Sequence, residues 1–181
     1  MQYPVPADVK DTLYSVINGI GKEKIRTDVA ADVKRSEKYC RDIIATCSSM
    51  LDPGAGDEAL ATLCEALLHF ILTASLLPSE RKVSTQGADL DIVIPSTRAL
   101  DKSPEKSLVI QVIRGDLAAK AKQAESVQPH RENIWLISAQ PLQTDYRNYH
   151  LGPGGLQYSR IISDIGAFLS EKGGRGLKLL P

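Results

Sequence analysis

The chain has no net charge: its 181 residues carry 22 Lys and Arg against 22 Asp and Glu. That balance excludes the strongly basic coat of a protein that wraps nucleic acid along its whole surface. Cysteine is scarce. Cys40, Cys47 and Cys64 form no C-x-x-C pair and have no histidine at ligand spacing. This excludes a disulfide scaffold and a zinc site, and it reads as three reduced core thiols in a cytoplasmic protein. Long apolar runs are also missing. The longest, residues 66–77, is interrupted by His69, Thr73 and Ser75, too short and too polar to span a bilayer. The opening MQYPVPADVK lacks a basic segment followed by an apolar one, so neither a signal peptide nor a membrane partner is expected. There is no G-x-G-x-x-G, G-x-x-x-x-G-K-[ST], G-x-S-x-G or H-E-x-x-H, which removes the standard nucleotide loops, the serine-hydrolase elbow and the zincin helix. Gly152-Pro-Gly-Gly155 reads as a plain turn.

What is present is ordinary globular composition, 43% apolar and 24% charged, in a chain long enough for one domain with a real core. We expect a helical extension over 1–53, an α/β core over 54–172 and a loose tail over 173–181. Residues 77–181 carry a small excess of basic groups and residues 1–76 a matching acidic one, a slight lean toward an anionic partner in the second half.

Val9, Leu13, Val16, Ile17 and Ile20 recur at helical spacing up to Gly19 and Gly21. A second helix is expected from Thr27 or Asp28 to about Leu51, closed by Asp52-Pro53-Gly54. A third, 57–77, is apolar on most sides and should be buried. Its one polar stripe holds Glu58, Thr62, Glu65, His69 and Thr73. A buried carboxylate is costly, so Glu65 needs a cation, water or a partner. Pairing with His69 one turn on is the bland alternative.

After Pro78 the period becomes that of strands: 81–84, 87–95, 107–114 and, after a helix over 117–126, 133–138. The 139–155 segment reads as a long loop, in which Tyr146 to His150 either stack on single-stranded bases or pack among themselves. A final helix covers 157–172. The order, helices followed by β-β-β-α-β-α, gives an α/β sandwich with a mixed central sheet of about four strands. The step from 107 to 138 should be a right-handed parallel crossover.

Two strands carry the chemistry. Alternation puts Asp89 and Asp91 of ADLDIVI on one side of their strand, and Gln111 and Ile113 of SLVIQVI on one side of theirs. An antiparallel pairing brings Asp91 near Gln111. Oxygen donors of this kind are the hard ligands that Mg²⁺ requires, and a metal so held acts on phosphodiesters.

At these residues, over about 57–138, the chain resembles the PD-(D/E)XK nuclease superfamily, the restriction-endonuclease-like fold. The resemblance makes Asp91 the metal-binding Asp with Asp89 as second choice, sets Gln111 at the second acidic position, and lets Glu65 match the helical Glu. Ile113 stands where the family has Lys. Arg114 is one residue on and expected on the opposite side, so Lys82 and Lys120 are the candidates to supply that cation. The implied function is nucleic-acid processing: Mg²⁺-dependent hydrolysis of DNA or RNA at Glu65, Asp91, Gln111, Lys82 and Lys120. The alternative is a catalytically inactive member of the fold that binds nucleic acid or acts as a scaffold. The apolar helix 57–77 with the two before it is a candidate homodimer or partner-protein face.

Overall fold

The computed structural model describes residues 8–172; the expected tail over 173–181 lies outside them. Four helices come first: α1 (Val9–Ile20), α2 (Lys22–Ala31), α3 (Ser36–Met50) and α4 (Gly56–Ala74). Asp8 caps α1 by accepting the Lys10 N–H. Gly21, at φ +115°, turns the chain from α1 into α2, a conformation that favours glycine.

The helix expected from residue 27 to 51 is divided. Asp32 is extended, with φ −150°, and its side chain accepts the Lys34 N–H. An Asp that bonds to the following backbone ends one helix and starts another, which apolar periodicity does not register. The third expected helix stops at Ala74 rather than Leu77, and Leu76 is left-handed and exposed.

The sheet has six strands, not about four. They are β1 (Glu80–Thr85), β2 (Ala88–Ile94), β3 (Leu108–Val112), β4 (Ile134–Ser138), β5 (Arg147–His150) and β6 (Leu156–Gln157), in spatial order 1-2-3-4-5-6. β1, β2 and β3 are antiparallel; β3 to β6 are parallel. Gln86 and Gly87, both at positive φ, form the two-residue hairpin between β1 and β2. The short helix α5 (Thr97–Lys102) follows β2, and α6 (Leu117–Glu125) makes the expected crossover from β3 to the parallel β4.

β5 lies in the segment expected to be a loop, and β6 directly after it, at the expected start of the last helix. Arg-Asn-Tyr-His has little strand pattern of its own; it becomes β5 because β4 presents an open edge to it. Tyr149 is fully buried there, and Arg147 stacks over the Trp135 ring at 4.6 Å. The final helix, α7 (Ile161–Lys172), begins four residues later than expected, after β6 and a 3₁₀ turn.

Two apolar layers cover the sheet. On one face, α1–α4 and α7 pack against Ile92, Ile94, Ile110, Val112, Trp135 and Ile137. On the other, Ala121 and Ala124 of α6 and Leu100 of α5 cover Leu90, Val93, Val109 and Leu136. The apolar face of α4, including Leu63, Leu67, Leu68, Ile71 and Leu72, is buried within this chain. It is therefore covered by the chain's own core rather than left open as the candidate dimer face. No helix among the described residues is long and apolar enough to cross a membrane.

Candidate functional site

Regular alternation puts residues 90 and 92 on one face of a strand. Here Leu90 faces the α6 layer and Ile92 the α4 layer, so the phase slips at Asp91. Opposite, between the pairs Arg81↔Ile92 and Val83↔Leu90, stands Lys82. Its φ is +51°, a left-handed conformation that costs a non-glycine residue ~1–3 kcal/mol. The slip breaks the simple expectation that Asp89 and Asp91 project alike. Asp91 is buried. Asp89 is exposed on the wall of the same cleft, where its carboxylate accepts the Ser84 hydroxyl.

Asp91 is the hub. Its Oδ2 accepts the Val112 N–H at 2.8 Å. The Lys120 ammonium donates to Oδ1 at 3.0 Å and Oδ2 at 2.8 Å, and the Lys82 ammonium donates to Oδ1 at 3.1 Å. The same Lys82 Nζ lies 2.7 Å from Glu65 Oε1, as an ion pair without hydrogen-bond alignment. Glu65, brought from α4, is held on its other oxygen by Arg114 at 2.8 Å. Arg114 also donates to the Thr62 hydroxyl at 3.2 Å, and Arg81 Nε approaches Glu65 Oε1 at 3.8 Å. Glu65 does not pair with His69, which is exposed.

Arg81 and Arg114 were not singled out as site residues in the sequence. Alternation sets Arg114 on the far side of β3, but β3 ends at Val112. Even so Arg114 lies opposite Ile113, as alternation sets it, on the α4 face where Glu65 and Thr62 stand. Ile113 packs in the α6 layer. Ammonium groups reach Asp91 from α6 as Lys120 and from β1 as Lys82.

Gln111 is fully buried and directed at backbone. Its Oε1 accepts the Asp91 N–H at 2.8 Å, and its Nε2 donates to the carbonyls of Lys120 at 3.1 Å and Asp89 at 3.4 Å. Both ends of the amide are occupied. Gln111 thus ties β2, β3 and α6 together at the residues flanking Asp91.

Burial would push the Glu65 carboxyl up, but Lys82 and Arg114 outweigh it and hold its pKa below the usual value. Burial likewise works against ionisation of Asp91, and Lys120, the Val112 N–H and Lys82 overcome it. Lys82 is pulled the other way: burial lowers its pKa, Glu65 and Asp91 raise it, and the net shift is upward. All three groups are therefore charged at neutral pH. Four cationic side chains surround two carboxylates, which leaves a positive surplus.

Two hollows open here. One, of about 290 Å³, is lined by Lys82, Ser84, Asp89, Asp91 and Lys120. The other, of about 310 Å³, lies beyond the carboxyl ends of β3 and β4, where Arg114 shares the lining with Asp57 and Glu58, the usual place for ligands in open α/β sheets.

Among the described residues no group of three or more His, Cys, Asp or Glu side chains converges as a metal cage. A full cage is not what Mg²⁺ needs, since it commonly takes one or two carboxylates and completes its shell with water and phosphate. Glu65 Oε1 and Asp91 Oδ1 are hard donors that already share one cation, the Lys82 ammonium. A divalent ion at this centre would have these two carboxylates as its hard donors, with Asp91 also held by Lys120 and the Val112 N–H. Fold and site together define an α/β protein with a mixed sheet and a cation-rich dicarboxylate centre. No protein-family model, no curated protein and no solved structure matches the chain.

Proposed function

We propose that this chain is a nucleic-acid-processing domain of the PD-(D/E)XK, restriction-endonuclease-like kind, acting on the phosphodiesters of DNA or RNA with Mg²⁺. The observation that carries the reading is the cation seated between two buried carboxylates that come from different elements, with a second lysine fixed on one of them. Glu65 and Asp91 would hold the ion; bound there, it supplies Lewis-acid charge at a phosphoryl group.

The chain's own side chains supply the rest. Lys120 stands in for the family lysine missing at Ile113, with its ammonium at hydrogen-bond distance from both Asp91 oxygens. It can donate to a phosphate oxygen or to an attacking water beside that carboxylate. Arg114 holds Glu65 in place. The surplus of cations favours an anionic substrate without requiring a basic protein overall.

The test is incubation with Mg²⁺ or Mn²⁺ and single- and double-stranded DNA and RNA. Cleavage that disappears in Asp91→Ala supports the reading; cleavage no greater than in that variant removes it. A second reading, a catalytically inactive member of the same fold that binds nucleic acid or serves as a scaffold, is favoured by Gln111. Its amide is wholly engaged by backbone groups, so it brings no free oxygen where active relatives carry an acid. That reading predicts phosphate-backbone binding, salt-sensitive and without cleavage.

A further inference from the structure

The two lysines at the centre are not equivalent. Lys120 is fixed: its side chain is 24% exposed, its ammonium meets both oxygens of Asp91, and its carbonyl accepts from Gln111. Lys82 bridges the two carboxylates, 2.7 Å from Glu65 Oε1 and 3.1 Å from Asp91 Oδ1, from a more exposed position. Its side chain is 55% exposed, its one aligned hydrogen bond goes to Asp91 Oδ1, and its backbone is left-handed. It also borders the 290 Å³ cleft, which gives it somewhere to go. The two oxygens it touches, Glu65 Oε1 and Asp91 Oδ1, are those that a divalent ion at this centre needs.

We propose that Lys82 is a displaceable internal counterion: its ammonium occupies the cation position between Glu65 and Asp91, a divalent ion must expel it to bind, and the expelled amine then lies in the cleft facing an anionic ligand. This rests on the reading of Glu65 and Asp91 as cation ligands and adds to it how the site is kept occupied and how it opens. Without any cation, two buried carboxylates would face each other uncompensated, a costly arrangement. Lys120 offsets Asp91 and Arg114 offsets Glu65, and Lys82 bridges the oxygens that face each other until a metal takes its place. The exchange couples metal entry to release of a positive group, so metal and phosphate should bind cooperatively.

The experiment is a Mn²⁺ titration, followed by the electron-spin-resonance signal of the free ion, on wild type, Lys82→Met, Lys82→Arg, Lys120→Met and Asp91→Asn, with thermal melts in chelator and in Mn²⁺. Lys82→Met should bind Mn²⁺ at least tenfold more tightly than wild type. In chelator it should melt lower than wild type and gain more from Mn²⁺. Lys82→Arg, which keeps the charge, should show no tightening, and Asp91→Asn should bind weakly or not at all. Should Lys82→Met fail to fold, Lys82→Gly takes its place, since glycine accepts φ +51° and also removes the ammonium. Wild-type binding that Asp91→Asn abolishes but that Lys82→Met and Lys82→Gly leave unchanged or weakened overturns the counterion role while the cation site stands. Absence of Mn²⁺ binding in every variant overturns both.

Discussion

Two ionic clusters sit on this sheet, one at each side, and they are built differently. Beside β5, Arg147 donates to Asp164 at 3.0 Å and to the Tyr149 hydroxyl at 2.7 Å, and that hydroxyl donates to Asp164 at 2.6 Å. Arg147 also lies over Trp135. One carboxylate serves a buried phenol, a stacked guanidinium and, at 3.9 Å, Arg160; the group pins β5 to α7. At the Glu65–Asp91 centre the cations outnumber the carboxylates, one residue has a strained backbone, and a cleft lies alongside. Both clusters hold two cationic side chains for each carboxylate, so the count of charges does not separate them. Two buried carboxylates from different elements, beside a strained backbone and an open cleft, are more than folding needs, and that motivates the functional reading.

The comparison is broken most severely through Asp91. Asp91→Asn should reduce any divalent-dependent cleavage by ~100-fold or more, measured on labelled oligonucleotides, while far-ultraviolet circular dichroism stays native. Asp164→Ala should do the reverse. It strips the acceptor from Tyr149 and Arg147 and should cost ~1–3 kcal/mol in urea unfolding, with cleavage or nucleic-acid binding within twofold of wild type. Equal damage to activity from both variants would erase the distinction.

A third prediction concerns pH. The carboxyls of Glu65 and Asp91 are held below their unfolded values of 4.5 and 3.8, so the stability they contribute is complete above those values. It is lost as pH falls through the lower folded values. Lys82 is raised above 10.5, so its contribution is complete below 10.5 and lost as pH rises through its higher folded value. Urea midpoints should therefore fall at both ends of the range, and Asp91→Asn should flatten the acid limb. The smallest effect concerns the thiols. Burial pushes Cys40 up to about 12 and Cys47 to about 11 and raises Cys64 further. At pH 8 a disulfide reagent should label none of the three in the native protein and all three after unfolding.

Much of this was readable in the residues, for identifiable reasons. Glu65 is conspicuous as a carboxylate in a nearly all-apolar helix, and burial obliges it to find cations. Asp91 and Gln111 are polar residues inside apolar strands, and an antiparallel register sets them against each other. Lys82 and Lys120 were nameable as cations close in sequence to those strands, but no sequence rule fixes the left-handed backbone of Lys82 or the helix phase that aims Lys120. Arg114 does face opposite Ile113, as strand parity sets it, but that face is where α4 brings Glu65, which the strands alone do not reveal. β5 and β6 were missed because their polar residues become strands only through the edge they meet. The break at Asp32 was missed because a cap interrupts a helix without disturbing its apolar stripe.

The central claim is that Glu65 and Asp91 form one cation-binding centre. Its most direct test is calorimetric titration of Mn²⁺ into wild type, Glu65→Gln and Asp91→Asn under identical buffer and salt. The account predicts one saturable site in wild type, weakened at least tenfold by either substitution. Binding that survives both substitutions unchanged, or a wild type that takes up no ion, would contradict it.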